Sequence, residues 1–236
     1  MTPVMPLRFF RVLAAAVALL LSSAALGQDL EAGKEVYGPC AACHGAYGEG
    51  GKGGEYPRVA GQSVGFTVAS LKQFQERRRN NLPMFPYTEP RELSERDMKD
   101  VAAYLASIQL PTKPPEFKDT DSALERLVKM ERVLVVPRVE GDTRKGRALF
   151  RKQCAKCHGP SAQGKEQKGA PSLVGQYPSY LQKQFDAYRK GERGAEKDDP
   201  MKGTLDTLSA QDLTDVLAWL TSIQDETPEA EGDAAP

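Results

Sequence analysis

The sequence CAACHG at residues 40–45 is repeated as CAKCHG at residues 154–159, which is 114 residues further along the chain. With the same shift and no gap, YPRVAGQ at 56–62 aligns with APSLVGQ at 170–176. Two matched stretches that keep their order and spacing indicate an internal duplication. The fold of one copy should therefore be the fold of the other, and each copy has about 80 residues, the size of a small domain.

A third matched stretch predicts how each copy ends. LSERDMKDVAAYLASIQ at 93–109 aligns with LSAQDLTDVLAWLTSIQ at 208–224. Ser94 and Ser209 are predicted helix N-caps, because each is followed three residues later by an aspartate and then by apolar residues at helical spacing. Further helices are predicted at 32–37, 64–76, 143–150 and 179–189. Because alternating strand patterns are lacking, the sequence predicts an all-α fold of two tandem domains.

Each Cys-x-x-Cys-His motif has the spacing of a covalent haem c attachment site. Positions i, i+3 and i+4 share one face of a helix, so two thiols can reach the vinyl groups while the histidine faces the iron. The predicted thioether residues are Cys40, Cys43, Cys154 and Cys157, and the predicted iron ligands are His44 and His158. A zinc site, a thioredoxin-like redox pair and disulfides in an exported protein are the alternatives, but each leaves the repeated histidine unexplained.

The remaining iron ligands follow from the residue inventory. The chain has four cysteines and two histidines, and the two motifs use all of them. The sixth ligand is then a methionine, or the position is open. Met98 fits the buried face of a helix, and Met130 lies outside both copies. Met84 and Met201 each follow a proline on corresponding loops, so they are the predicted sixth ligands.

Residues 1–27 are predicted to be a cleaved signal peptide. Arg8 and Arg11 precede an apolar run at 12–21, and Ala25-Leu26-Gly27 supplies the small residues of a cleavage site. The run is shorter than the ~20 residues that a spanning helix needs, which argues against an uncleaved anchor. We therefore expect a periplasmic mature chain without an integral membrane span, for which peripheral association with a membrane stays open.

Charge composition excludes one class of partner. The whole chain has 32 basic and 32 acidic residues, so loss of Arg8 and Arg11 leaves a slight acidic excess. No long basic stripe with interleaved aromatic residues is present, which argues against a nucleic-acid partner. Residues 225–236 contain five acidic residues and no basic one, and they are predicted to be a disordered acidic tail.

The ordered set of repeated elements resembles a dihaem class I cytochrome c of the cytochrome c4 family. The resemblance covers residues 29–110 and 141–224, and it implies an N-terminal domain at 28–110 and a C-terminal domain at 141–224. It also implies that the carbonyls of Pro57 and Pro171 accept hydrogen bonds from the two axial imidazoles. Two domains related by a pseudo-twofold axis, with their haems edge to edge, are a further implication.

The linker at 111–140 and two arginines lead to separate expectations. Apolar residues at helical spacing within 121–132, followed by the apolar run 133–136, predict a helix and strap packed over one domain or across the interface. Docking of a partner protein is the alternative. Arg79 and Arg193 align between the copies and are predicted to neutralise haem propionates, whereas the alternative is a solvated helix end.

Two filled axial positions favour an electron carrier whose partners are redox proteins. An alternative is the haem subunit of a periplasmic oxidoreductase such as a sulfide-oxidising flavocytochrome. A dihaem peroxidase needs an open iron and acid–base groups beside it, and the chain has no spare histidine to supply them. The sequence therefore predicts a carrier that is not itself an enzyme.

Overall fold

The structure is a computed structural model that describes residues 28–193, 201 and 203–223. The predicted signal peptide and acidic tail lie outside these residues. The N-terminal domain contains the helices α1 (Leu30–His44), α2 (Val64–Gln75), α3 (Phe85–Thr88) and α4 (Glu95–Ser107), with 3-10 turns at Lys52–Gly54 and Leu82–Met84. The linker contains α5 (Ala123–Glu131). The C-terminal domain contains α6 (Thr143–Gln153), α7 (Ala155–His158), α8 (Pro178–Arg189) and α9 (Ala210–Ser222), with 3-10 turns at Glu166–Lys168 and Leu205–Thr207.

The predicted all-α class is confirmed. Within the described ranges, β pairing is limited to two isolated bridges, Gly51 with Tyr56 and Lys165 with Ala170. The two bridges occupy equivalent places in the two copies, where each closes a loop beside a Cys-x-x-Cys-His motif. None of the helices in the described part of the chain is long and apolar enough to span a membrane.

The first and last helices of each domain cross at a glycine. A Cβ on Gly33 of α1 would lie 2.1 Å from the carbonyl oxygen of Asp100 in α4, and one on Gly146 of α6 would lie 1.9 Å from that of Asp215 in α9. The backbones of the two helices in each pair are therefore so close that only glycine, which has no side chain, fits at the crossing. Each crossing is also tied by a carboxylate, since the Asp100 and Asp215 side chains accept backbone hydrogen bonds from the start of the facing helix.

Aromatic pairs fill the space beside both crossings. In the N-terminal domain the rings of Tyr37 and Tyr104 lie 5.8 Å apart between centroids, and in the C-terminal domain those of Phe150 and Trp219 lie 4.6 Å apart. Predicted capping boxes begin α4 and α9, where Ser94 and Ser209 each accept a hydrogen bond from the backbone of the aspartate three residues on. The duplicated sequence thus builds two duplicated cores.

The linker only partly follows the prediction. Helix α5 is present, but its apolar residues face solvent, with Leu124 69% and Leu127 66% exposed. The prediction of a packed helix is therefore wrong for α5. Its own capping box at Ser122 and the Lys129–Asp121 ion pair stabilise it locally, so it does not require a packing partner to begin. The strap is packed as predicted, because Leu134 and Val136 are buried.

The two domains contact each other reciprocally. The 3-10 turn Lys52–Gly54 packs on α8, and the equivalent turn Glu166–Lys168 packs on α2. The backbone N–H of Gly65 at the start of α2 donates to Glu166 Oε1 at 2.9 Å, and the Ser179 hydroxyl donates to the carbonyl of Gly53. Each domain thus uses the same turn to contact the same helix of the other domain, as expected for two domains related by a pseudo-twofold axis.

Candidate functional site

Each Cys-x-x-Cys-His motif closes a helix. Cys40 and Cys43 lie in the last turn of α1, which ends at His44, whereas Cys154 lies at the junction of α6 and α7. Helix α7 then carries Cys157 and ends at His158. The glycine that follows each histidine has a positive φ, 83° at Gly45 and 79° at Gly159, which stops the helix and turns the chain into a loop. In both domains the thiols and the imidazole thus share one helical turn.

The loop after each motif fixes the tautomer of the histidine. His44 Nδ1 lies 2.9 Å from the carbonyl oxygen of Pro57, and His158 Nδ1 lies 2.9 Å from that of Pro171. A carbonyl oxygen can only accept a hydrogen bond, so Nδ1 must carry the proton in both rings. The Nε2 lone pair of each ring is then available to a metal ion.

Burial keeps these groups uncharged. It lowers the pKa of His44 and His158, and the hydrogen bonds to the prolines oppose that decrease only in part. Neutral imidazole is the form that ligates iron. Burial also raises the pKa of the Cys40 thiol, and it raises the pKa of the Cys154 thiol to about 11 with a contribution from Cys157. A thioredoxin-like pair needs a lowered thiol pKa, so that alternative does not fit.

Disulfides and a zinc site, the other two alternatives, do not fit the structure either. All four cysteines are unpaired, so the motifs are not disulfides. Across the described residues, which include every cysteine and histidine of the chain, no group of three or more histidine, cysteine, aspartate or glutamate side chains is arranged to hold a metal ion. The two motifs therefore do not converge on a shared zinc site.

The two candidate methionines have different surroundings. Met84 ends the 3-10 turn Leu82–Met84 and is half-buried, and its carbonyl accepts a hydrogen bond from the buried Thr88 hydroxyl at 3.2 Å. Met201 is half-buried against the core of the C-terminal domain. Its preceding Pro200 lies outside the described residues.

Arg79 and Arg193 are brought together at the domain interface. Each is only 9% exposed. Arg79 Nη2 donates to the Tyr180 hydroxyl at 2.6 Å and to Gln184 Oε1 at 3.1 Å, and Arg193 donates to the same Gln184 oxygen. Each guanidinium also stacks on an aromatic ring of its own domain, Phe74 or Tyr188. The solvated-helix-end alternative is therefore wrong for both residues, although Arg77 and Arg78 are exposed and pair with glutamates.

These buried guanidinium groups leave positive charge unbalanced. Among the residues that the structure describes, neither Arg79 nor Arg193 has a carboxylate partner, and the buried Nε of Arg193 has no hydrogen-bond acceptor. Burial would raise the pKa of Tyr180, but the adjacent arginine charges outweigh it and lower that pKa. Buried charge is stable when an anion accompanies it, and carboxylates are the anions that guanidinium groups prefer. The cluster is therefore chemically suited to the propionates of a haem.

Taken together, the thiols, the neutral imidazoles and this cationic cluster fit a haem in each domain. Comparison with known proteins agrees. The family model for cytochrome c matches residues 30–109 and again residues 143–224. The chain therefore belongs to the cytochrome c family.

Similar proteins narrow the class. Cytochrome c4 of Pseudomonas aeruginosa is 28% identical over 204 residues, covering 83% of this chain and 89% of that protein. A thiosulfate dehydrogenase electron acceptor of Thiomonas intermedia is 32% identical over 188 residues, covering 78% of this chain and 77% of that protein. The crystal structure of reduced recombinant cytochrome c4 from Pseudomonas stutzeri superposes with a TM-score of 0.62 at 26% identity, covering 84% of this chain and 99% of that one.

The chain is accordingly a dihaem electron-transfer cytochrome similar to cytochrome c4, with two covalently bound haem c groups. A bound haem supplies an iron that takes up and releases one electron as it changes between the ferric and ferrous states. The protein provides the attachment, the axial ligands and the surrounding charge.

Two further buried residues lie outside the motifs that predict the haem sites. Gln62 and Gln176 end the aligned stretches YPRVAGQ and APSLVGQ, so the repeat marks them as a pair. Both are buried at the interface between the domains. Their retention at equivalent positions is the signal that could have identified them, since a loop glutamine is ordinarily solvated.

Proposed function

We propose that this protein is a periplasmic carrier that passes single electrons between redox protein partners through two His/Met haems. The observation that carries the proposal is the orientation of the two histidines. Each Nδ1–H is held by a proline carbonyl 13 residues along the chain, which leaves Nε2 for iron beside two thiols. That arrangement occurs once in each domain, as a relay with two iron sites requires.

The proposed ligands are His44 and Met84 for the first iron, and His158 and Met201 for the second. Methionine is the ligand that the inventory leaves, because both histidines and all four cysteines belong to the attachment motifs. A histidine and a methionine raise the potential of a haem and close the iron to exogenous ligands. An iron closed in this way exchanges electrons but does not readily bind a substrate, which supports a carrier and not a catalyst.

We also assign roles to four residues that surround the proposed haems. Pro57 and Pro171 orient the axial imidazoles through their carbonyls. Arg79 and Arg193 hold propionate groups, which would supply the negative charge that their buried guanidinium groups require. Localisation in the periplasm rests on the predicted signal peptide and on the covalent haem attachment.

A redox titration with a carbon monoxide challenge tests the proposal. The purified holoprotein should show two haems per chain, both low-spin, and the reduced form should not bind carbon monoxide. The outcome that contradicts a pure carrier is a carbon monoxide complex at one native reduced haem. That result would indicate an open iron and would favour catalytic chemistry at that site.

A second candidate function is an electron relay dedicated to one enzyme. The observation that favours it is the similarity to the Thiomonas intermedia protein, which is named as an electron acceptor for thiosulfate dehydrogenase. This similarity favours a thiosulfate-oxidising enzyme as the electron donor over a sulfide-oxidising flavocytochrome. Mixing the oxidised protein with a thiosulfate dehydrogenase and thiosulfate should reduce both haems faster than thiosulfate alone. Equal rates with and without the enzyme would contradict the dedicated relay and leave the general carrier standing.

A further inference from the structure

Gln176 of the C-terminal domain makes two hydrogen bonds with the backbone of Arg58 in the N-terminal domain. Its Oε1 accepts a hydrogen bond from the backbone N–H of Arg58 at 3.0 Å, and its Nε2 donates to the carbonyl oxygen of Arg58 at 2.8 Å. Both bonds are made with the main chain. The side chain is buried, so no solvent competes for them.

Gln62 of the N-terminal domain makes the same contact in the opposite direction. Its Oε1 accepts from the backbone N–H of Ser172 at 3.0 Å, and its Nε2 donates to the carbonyl oxygen of Ser172 at 3.0 Å. Gln62 is also buried. Each domain thus inserts one amide side chain against the residue that follows Pro57 or Pro171 in the other domain.

These contacts lie one peptide group away from the histidines. The N–H of Arg58 and the carbonyl of Pro57 belong to the same peptide unit, and that carbonyl accepts from His44 Nδ1 at 2.9 Å. A continuous chain of hydrogen bonds therefore runs from Gln176 through this peptide unit to His44. The equivalent chain runs from Gln62 through the unit joining Pro171 to Ser172, and it ends at His158, again at 2.9 Å.

Hydrogen bonds in series polarise one another. When an amide N–H donates to a strong acceptor, the carbonyl of the same peptide becomes a better acceptor itself. A better acceptor on Nδ1–H makes the imidazole a more basic ligand, which favours the ferric state and lowers the potential of the haem.

We propose that Gln62 and Gln176 are positioning residues that act across the domain interface, each setting the potential of the haem in the opposite domain. This inference rests on the proposed ligation of the irons by His44 and His158. It assigns part of the control over each haem to a residue that belongs to the other copy of the repeat.

The test measures the two imidazoles directly. Because the chain has only two histidines, labelling with ¹⁵N-histidine gives two Nδ1–H signals in the reduced holoprotein. Replacement of the glutamine by leucine removes the acceptor and introduces an apolar side chain of similar size. We expect Gln176→Leu to shift the His44 signal upfield and to raise the potential of the N-terminal haem. Gln62→Leu should do the same to His158 and the C-terminal haem.

Two further variants separate this effect from loosening of the interface. Glu166→Ala removes an interdomain hydrogen bond to Gly65 that involves neither the Pro57–Arg58 nor the Pro171–Ser172 peptide unit, and it should leave both Nδ1–H signals in place. Gln176→Glu keeps an acceptor for the N–H of Arg58, so the His44 signal should not move upfield.

Three results overturn the proposal. The first is a leucine variant that shifts only the histidine of its own domain, the second is one that shifts neither, and the third is an equal shift from Glu166→Ala. Failure of the proposed function looks different, because the wild-type imidazole signals would then lack the strong ring-current shift of a haem ligand before any substitution is made.

Discussion

Met84 and Met201, the two proposed sixth ligands, have different surroundings. Met201 packs against the core of its domain, whereas Met84 follows Leu82, which is 74% exposed, in a short surface turn. The proposed sulfur ligand of the N-terminal iron therefore lies two residues from an exposed side chain. Single-residue substitutions test whether both methionines are ligands.

We expect Met84→Ala to lower the potential of the N-terminal haem by a sizeable part of the ~0.8 V range that axial ligands cover. The reason is that loss of the thioether removes the ligand that favours the ferrous state. The reduced variant should also bind carbon monoxide at that haem. Spectroelectrochemistry and the carbon monoxide difference spectrum measure the two effects, and Met201→Ala should reproduce them at the other haem.

Met130→Ala is the matched control. Met130 lies in α5, outside both domains, and it is partly exposed, so its removal should leave both potentials unchanged. If Met84→Ala gives the same spectrum as this control, the sulfur of Met84 is not a ligand.

At the scale of single residues, the sequence predicts which side chains attach the haems but not which side chains are buried at the domain interface. Counting places every cysteine and histidine in the two haem attachment motifs, because the chain has only four cysteines and two histidines, whereas the methionine ligands stay a prediction. The burial of Arg79 cannot be found in that way, since its acceptors Tyr180 and Gln184 belong to the other domain. Residue spacing within one copy carries no information about which surface of the second copy will face it.

The crossing of α1 and α4 offers a test at the scale of elements. Gly33→Ala places a methyl group against the carbonyl of Asp100, so it should cost about 1–3 kcal/mol of the free energy of unfolding. Gly38→Ala lies in the same helix with no atom other than its chain neighbours within 4 Å of the added Cβ, so it should avoid this cost, while the following Pro39 offsets the helix propensity that alanine adds. Denaturant titrations of the two holoprotein variants measure the difference. Equal effects would mean that the helices do not cross at Gly33.

The linker provides a second comparison between matched residues. Leu134 in the strap is buried, so Leu134→Ala should cost about 2–5 kcal/mol of unfolding free energy. Leu124 in α5 is exposed, so Leu124→Ala should change that free energy by no more than about 0.5 kcal/mol. Chemical denaturation followed by far-ultraviolet circular dichroism measures both. A large loss in Leu124→Ala would show that α5 is packed after all.

Element boundaries follow the local signals closely and miss what tertiary contacts decide. Capping residues predicted the starts of α4 and α9 because caps act within one turn. The helix predicted at 32–37 instead continues to His44, whereas its counterpart α6 ends at Gln153 and α7 begins anew. The exposure of α5 was mispredicted, since an amphipathic pattern states which face is apolar but not whether a surface covers it.

At the scale of the whole molecule, Arg58 ties the two domains together. Its guanidinium is buried at the interface and donates to the carbonyl of Val174 at 2.8 Å, and burial lowers its pKa to about 10. The side chain lies against Gly61 of one domain and Gly175 of the other. The repeat gives no sign of this, because the aligned residue in the second copy is Ser172.

We expect Arg58→Ala to uncouple the domains. Removal of the side chain deletes the bond to Val174 and leaves a void between the two loops, so the domains should unfold in two calorimetric transitions in place of one. The exposed Arg91→Ala serves as the control and should keep the single transition. Superimposable traces from the two variants would contradict a coupling role for Arg58.

Duplication predicted the number of domains and their common fold, since both follow from what the two copies share. It could not predict the interface, because an interface depends on how the copies are placed relative to each other. The reciprocal packing of the 3-10 turns on α2 and α8 is the simplest expression of that placement.

The glutamine contacts also bear on how such a molecule can evolve. Gln62 and Gln176 recognise main-chain atoms, which every amino acid except proline presents alike. A change of side chain at residue 58 or 172 therefore leaves the glutamine contacts themselves in place, even where it removes a separate contact such as that of Arg58 with Val174, and arginine at 58 opposite serine at 172 shows that the two halves already differ there. Each half is left free to acquire its own surface chemistry while the fusion stays intact.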